Sequence, residues 1–442
     1  MEECHNKEII QMKFDEVVSI IERGDSNELR SALESGQFDD IHLRKGFYGS
    51  TLLMIACKRG SIDCVKVLLD HKADLNHPDQ YDSLLSSACF SGSLEMVRFI
   101  IASGLMISDE AIMIVFQSKD LMKNTAIISM LVEFIKNVDF NCHGTFVNWA
   151  SRAGNEDVVR SLVRRGADPN KVYDACDDPL LEASREGHIE VIKLLFLSNA
   201  TNEPISQERL VTVLNQASTH GEIDIVRCLV EYGIEVSGLT KALVLAVEYN
   251  EVEVVAYLMD NGADYNTATI DGFSLLTYVC MTDYLYIVRL LLAHGADPNA
   301  ADRQGDLPLE YALLYTDMPK ILLEAGADPN IPFTDGGTAL ISVVTSIPDH
   351  ACELTLLLLQ HGADPNLAHA TTGHTPLMAA ASAKRIDLVE LLLEYKADVT
   401  QVNHVGASVL DILGTGPVFA EYVELCMQYI DINQQGAKSL LK

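Results

Sequence analysis

Short apolar stripes at helical spacing recur along the chain. Val65-Lys-Val-Leu-Leu69, Val159-Arg-Ser-Leu-Val163, Val288-Arg-Leu-Leu-Leu292 and Leu388-Val-Glu-Leu-Leu-Leu393 each predict an amphipathic helix. A fixed polar motif follows each stripe. Gly166-Ala-Asp-Pro-Asn170 recurs at Gly295 to Asn299, Gly326 to Asn330 and Gly362 to Asn366, and with a tyrosine at Gly262 to Asn266. Looser copies start at Lys72 and Lys396, and from Gly262 onward the spacings are 33, 31, 36 and 34 residues. Glycine ends the helix because it takes left-handed backbone at no steric cost. Asp and Asn hold the following turn by side-chain hydrogen bonds, and proline cannot continue the helix.

A shorter run of small residues precedes each of these helices. Thr51-Leu-Leu-Met-Ile-Ala-Cys57, Ser83-Leu-Leu-Ser-Ser-Ala-Cys89, Ser274-Leu-Leu-Thr-Tyr-Val-Cys280 and Thr375-Pro-Leu-Met-Ala-Ala-Ala381 are examples. The opening Ser or Thr is a helix cap, and Pro376 suits the first helical position. Ala56, Ala88, Ala150, Ala183, Ala217, Ala246, Ala312 and Ala380 share one place in the run, where a methyl group lets two helices approach. The unit is therefore cap, short helix, tight turn, longer helix, stop and loop. About 13 such units are expected, with first helices starting near residues 13, 51, 83, 110, 145, 179, 210, 240, 274, 307, 338, 375 and 408. Units of this size bury their apolar faces only against neighbours, which predicts an all-α solenoid in a curved, elongated stack.

This unit resembles the ankyrin repeat. Thr375-Pro-Leu-Met matches the family's T-P-L-H opening with methionine in the histidine place; Arg185-Glu-Gly-His-Ile-Glu-Val-Ile192 matches its inter-helix link, and the Gly-Ala-Asp-Pro-Asn segments match its hairpin. The histidine is missing from every opening, so its hydrogen-bonding role must be filled otherwise. The resemblance implies short β-hairpin-like loops between units, with residues 1–44 as an N-terminal capping unit, repeats over 45–405 and a C-terminal capping repeat over 406–442. The unit at 109–144 is irregular: it carries the extra stretch Gln117-Ser-Lys-Asp-Leu-Met-Lys-Asn124 and ends without the glycine.

Charge changes the picture of partners. The net charge is −31. Residues 1–220 hold 33 acids and 22 bases, residues 221–442 hold 30 acids and 10 bases, giving −11 and −20. Such a field repels nucleic acid and anionic membranes and suits a basic protein partner, while also keeping an elongated stack soluble and monomeric. The ten cysteines are scattered without a C-x-x-C pair, no apolar run reaches the length of a membrane span, and MEECHNKEII lacks the apolar core of a signal peptide. These features suggest a reducing compartment, cytoplasmic or also nuclear.

No phosphate-loop, zincin, nucleophile-elbow or kinase motif is present, and Gly414-Thr-Gly-Pro417 lacks the lysine of a phosphate loop. The sequence therefore suggests no catalytic residue, no metal site and no cofactor. The row Asp74, Asp168, Asp264, Asp297, Asp328, Asp364 and Asp398 is explained by turns rather than calcium. The resemblance places partner contacts on the hairpin tips and the exposed ends of the first helices. In this sequence the tips are Phe47, Tyr48, Asp79, Gln80, Asp177, Phe273, Arg303, Gln304 and His374, and the helix ends include Lys58, Arg59, Phe90, Arg152, Arg185, Glu186, His220, Tyr249 and Tyr315. Lys58, Arg59, Arg152 and Arg185 are expected to make the N-terminal half's inner face positive. A non-catalytic scaffold or adaptor is the leading expectation. The alternative is the substrate-recognition arm of a larger enzyme complex such as a ubiquitin ligase. Turn asparagines such as Asn76, Asn170 and Asn299 also resemble those hydroxylated in other ankyrin proteins.

Overall fold

The computed structural model describes residues 14–35, 41, 49–76, 84–170, 178–197, 205–346, 350–413 and 424. The chain divides into two compact units, Met1–Ala217 and Ser218–Lys442. The candidate residues Phe47, Tyr48, Asp79, Gln80 and Asp177, the glycine-rich 414–417 and most of the C-terminal capping repeat lie outside the described residues.

In the first unit, α1 (14–23) and α2 (Ser26–Glu34) open the stack. The hairpins α3 (Leu52–Arg59) with α4 (Ile62–Asp70), and α5 (Leu84–Phe90) with α6 (Leu94–Ala102), follow. The irregular unit holds three helices, α7 (Asp109–Gln117), α8 (Lys119–Met122) and α9 (Thr125–Val132). Then come α10 (Phe146–Arg152) with α11 (Glu156–Arg164), α12 (Pro179–Arg185) with α13 (Ile189–Leu197), and α14 (Gln207–Thr219). First helices pack on first helices: α3 on α5, α5 on α7, α7 on α10 and α10 on α12. Second helices do the same, with α9 lying between α6 and α11. The irregular unit is thus packed on both sides.

The second unit continues with α15 (Ile223–Gly233), α16 (Val236–Glu248), α17 (Val252–Asp260), α18 (Leu275–Met281), α19 (Leu285–Ala293), α20 (Pro308–Ala312) and α21 (Met318–Glu324). It closes with α22 (Ala339–Ser346), α23 (Ala351–Gln360), α24 (Pro376–Ser382), α25 (Ile386–Glu394) and α26 (Val409–Leu413). One hairpin finger is a true two-stranded sheet. Its strands β1 (Thr269–Ile270) and β2 (Phe273–Ser274) pair antiparallel through Thr269 with Ser274 and Ile270 with Phe273. Asp271 and Gly272 turn it with positive φ values of 52° and 95°, as a primed hairpin turn requires.

The apolar code explains the packing. All eight alanines at the shared place of the first helices are at most 1% exposed. A larger side chain there would overpack the interface, at a typical cost of about 1–3 kcal/mol. The capping residues act as their chemistry dictates. Thr51, Thr145, Ser274 and Thr375 accept from the backbone N–H three residues on, at 3.2, 3.2, 3.1 and 3.2 Å. No single side chain replaces the missing histidine. Met54, Asn148, Thr277 and Met378 stand in its place in these four openings; of these, Thr277 meets its cap directly, its hydroxyl 2.8 Å from that of Ser274. Two first helices begin before the sequence suggests, at Gln207 and Val236 instead of near 210 and 240. Only Ile234 and Glu235 separate α15 from α16; with no Asp-Pro-Asn segment there, the helix extends back where other units form a hairpin.

The turn motif does more than end a helix. Within each turn, Asp accepts from the N–H of the Asn two residues on, for example Asp297 from Asn299 at 2.9 Å and Asp328 from Asn330 at 2.9 Å. The Asn side chain then reaches the next repeat. Asn299 donates to the Gly326 carbonyl (3.1 Å) and accepts from the Asp328 N–H (2.7 Å). Asn330 does the same with Gly362 and Asp364 (2.9 and 2.7 Å), and Asn366 with Lys396 and Asp398 (3.4 and 2.6 Å). Three consecutive rungs tie four turns together. Where lysine replaces the stop glycine, Lys72 and Lys396 still adopt left-handed backbone, with φ 69° and 67°.

Candidate functional site

The first-helix ends and hairpin tips fall into separate groups of residues. On α3, Lys58 and Arg59 are exposed and line a cleft with Val18, Glu22 and Ile55. Among the described residues neither meets a carboxylate. The Lys58 ammonium instead lies 5.2 Å from the centre of the Phe90 ring, and Phe90 is 47% exposed. This pair combines a cation with an exposed aromatic face, and exposed aromatic rings are enriched at protein interfaces.

Arg152 and Arg185 behave differently, which alters the expected picture of free positive charge. Glu182 lies between them with its side chain only 4% exposed, 3.6 Å from the Arg152 Nε and hydrogen-bonded to Arg185. Glu186 faces Lys119 at 3.1 Å and Arg152 at 3.9 Å. The hydrogen bond from Lys119 holds the Glu186 carboxyl below the usual carboxylate range. Three cations and two carboxylates thus form a network with a small surplus of positive charge. The two arginines are half-exposed, so they reach solvent even while paired.

Sequence reasoning passed over Trp149, Phe116, Lys119 and Met122 as site residues. The inserted stretch at 117–124 was the signal: it folds as α8 and sets Lys119 and Met122 against Trp149 and Arg152. The Arg152 guanidinium lies over the Trp149 ring at 5.4 Å, and Phe116 meets Phe146 edge-on at 5.0 Å beneath. Gly144 makes room for the indole, because a Cβ there would come within 3.0 Å of the Trp149 Nε1.

In the second unit, Tyr249 is 55% exposed at the end of α16 and His220 is exposed at a link. Arg303 and Gln304 are exposed on their tip, and His374 is half-buried on another. Two expected contact residues are drawn inward. The Tyr315 hydroxyl donates to the Met281 carbonyl at 2.6 Å, and Phe273 packs edge-on against Tyr311 at 5.9 Å. Tyr286 and Leu314 are also strongly exposed, and the sequence motifs give no sign of it.

Among the described residues no group of three or more His, Cys, Asp or Glu side chains is placed to hold a metal ion, and no helix is long and apolar enough to cross a membrane. Burial pushes the Cys57 and Cys89 thiols up to about 12. Such thiols are packing groups rather than nucleophiles.

Comparison with known proteins places this architecture. Family profiles described as ankyrin repeats (3 copies) match residues 19–111, 180–269, 266–333 and 318–403, and one described as ankyrin repeats (many copies) matches 148–196. The ankyrin repeat protein nuc-2 of Neurospora crassa is 25% identical over 59% of this chain and 26% of its own length. The E3 ubiquitin-protein ligase KEG of Arabidopsis thaliana is 24% identical over 75% of this chain and 20% of its own length. The putative ankyrin repeat protein FPV031 of Fowlpox virus is 33% identical over 27% of this chain and 38% of its own length. The chain thus spans less than two fifths of each of these relatives. Among solved structures, the ankyrin repeat domain of Bcl-3 aligns with TM-score 0.41 and 25% identity, covering 47% of this chain and 95% of that one. The human ASB11 ankyrin repeat domain aligns with TM-score 0.41 and 22% identity, covering 50% and 98%. Ankyrin repeats generally mediate protein–protein interaction. With the profile matches spanning well over half of its residues, this chain belongs to the ankyrin-repeat family.

Proposed function

We propose that the chain is a non-catalytic scaffold or adaptor that binds partner proteins along its first-helix ends and hairpin tips. Acidic partner segments are favoured by the surface between residues 45 and 190, and basic segments by that between 240 and 400. The observation that carries this reading is the uneven charge: 22 bases stand before residue 221 and 10 after it. The first-helix ends Lys58, Arg59, Arg152 and Arg185 all lie in the N-terminal unit. Electrostatic complementarity of this kind mainly sets partner choice and association rate.

The test is an affinity capture from cell lysate with the chain and with a variant reversed at Lys58, Arg59, Arg152 and Arg185, read by mass spectrometry. A protein retained by the first and lost from the second, with affinity that falls as salt rises, supports the assignment. Identical catches would move binding away from these four cations.

A second reading is a substrate-recognition arm. Its support is the match to 75% of this chain within one fifth of an E3 ubiquitin-protein ligase. A full-length transcript encoding an appended catalytic or docking domain would favour it over a free-standing adaptor. The expected place of action is intracellular, in the cytoplasm or nucleus, which imaging of the tagged chain would check.

A further inference from the structure

Among the described helices, α8 is inserted within its unit between a first and a second helix, and it changes the surface beside it. Its residues Lys119 and Met122 face Trp149, Arg152 and Ala153 across an open cleft of about 180 Å³, closed below by Phe116 and Gln117. The floor is apolar: Phe116 is 1% exposed and Met122 2%. The rim is cationic, because the Lys119 side chain is 75% exposed and that of Arg152 50%. Both rim cations reach Glu186 on the adjoining repeat, and Arg152 also reaches Glu182. Ion pairs this exposed contribute little stability, so a second carboxylate can take the place of the first at small cost.

We propose that the α8 cleft is a docking site for an acidic peptide segment of a partner protein. One aliphatic or aromatic side chain of the segment enters between Phe116, Met122 and Trp149. A neighbouring carboxylate of the segment displaces Glu186 from Lys119 and Arg152. The charge arrangement selects this occupant. Glu182 is covered by Arg152 and Arg185 and only 4% exposed, whereas those two arginines and Lys119 present 49–75% of their side chains to solvent. A basic segment would meet cations first. The inference rests on the reading that the N-terminal unit takes acidic partners, and narrows it to one place and one anchor.

The test uses two labelled peptides of Glu and Asp residues, one with a single central leucine and one with alanine there, titrated by fluorescence anisotropy onto the whole chain at low salt. The leucine peptide is expected to bind about tenfold tighter, which corresponds to roughly 1.4 kcal/mol. Ala153→Phe fills the cleft without changing charge, at a helix-end position with ordinary right-handed backbone, and should abolish the difference. Glu186→Gln frees Lys119 and leaves Arg152 with Glu182 alone, and should tighten both peptides. Equal affinity of the two peptides for the unaltered chain would overturn the cleft and leave the broader charge-based reading standing. No binding of either would remove the cleft and the acidic-partner reading together. If circular dichroism shows Ala153→Phe misfolded, exposed Lys119→Gln takes its place: it should weaken both peptides severalfold, and unchanged affinity would overturn the proposal.

Discussion

The two units use the same apolar code yet secure their turns differently. From Asn299 to Asp398 the C-terminal unit repeats one device, an asparagine that grips the next turn by two hydrogen bonds. The N-terminal unit shows that device at Asn76, which holds the Gly104 carbonyl and the Met106 N–H at 3.3 and 2.8 Å. Elsewhere it improvises. Asp109 accepts from the Lys136 and Asn137 N–H groups (2.8 and 2.9 Å) where the irregular unit lacks its glycine. Arg209 gathers Asn170 and Asp178. The charges differ in step, −11 against −20. Buried apolar positions must agree to build the stack, whereas tips and helix ends are free to diverge.

The sharpest way to break the comparison is at Asp178. Its carboxylate caps α12 through the Leu180 N–H at 2.8 Å and pairs with Arg209, the two side chains being only 10% and 15% exposed. Asp178→Ala removes a cap and strands a mostly buried guanidinium, so a loss of about 3–5 kcal/mol is expected in chemical denaturation. Asn330→Ala opens a single rung of the C-terminal row, leaving the Gly362 carbonyl and the Asp364 N–H to water. Because this site is exposed, a loss nearer 1 kcal/mol is expected by the same measurement. A larger loss for Asn330 than for Asp178 would invert the comparison.

Two smaller effects sharpen it. Lys396→Gly relieves left-handed backbone and should stabilise the C-terminal unit by up to about 1 kcal/mol. His294 offers a pH readout. Its Nδ1 donates to the Leu290 carbonyl at 2.9 Å and its Nε2 meets Asp260 at 3.2 Å. The Leu290 carbonyl first, and then Asp260, raise its pKa above the ordinary 6.5. The protonated form is therefore favoured by folding. This contribution is full below about pH 6.5 and fades as pH rises through the folded-state value. His294→Gln should flatten that small slope in thermal melts taken from pH 5 to 8, while an unchanged slope would assign it to other groups.

Much of this molecule is legible in the sequence because its forces are local. Caps at Thr51 and Thr375, the shared alanines and the stop glycines follow from residue type, so most first helices begin within a residue of the expected start. Helices α14 and α16 begin earlier than the pattern predicts because the motif that normally marks the boundary is not encoded there. The reach of Asn299 across 27 residues to Gly326 was missed for a different reason: a turn-forming residue satisfies local logic without showing its second partner. The network around Glu182 and the cleft beside α8 depend on residues from three repeats, and only the inserted stretch hinted at them.

The asparagine row gives the C-terminal unit a mechanical character. Its three rungs link successive tips, in front of helices that are held by close apolar packing. Under load the tips act as a seam of short tethers in front of a packed core. A partner that seats on the tips meets a surface whose spacing is already set, and one that must spread them has to break the rungs in series before the core gives way.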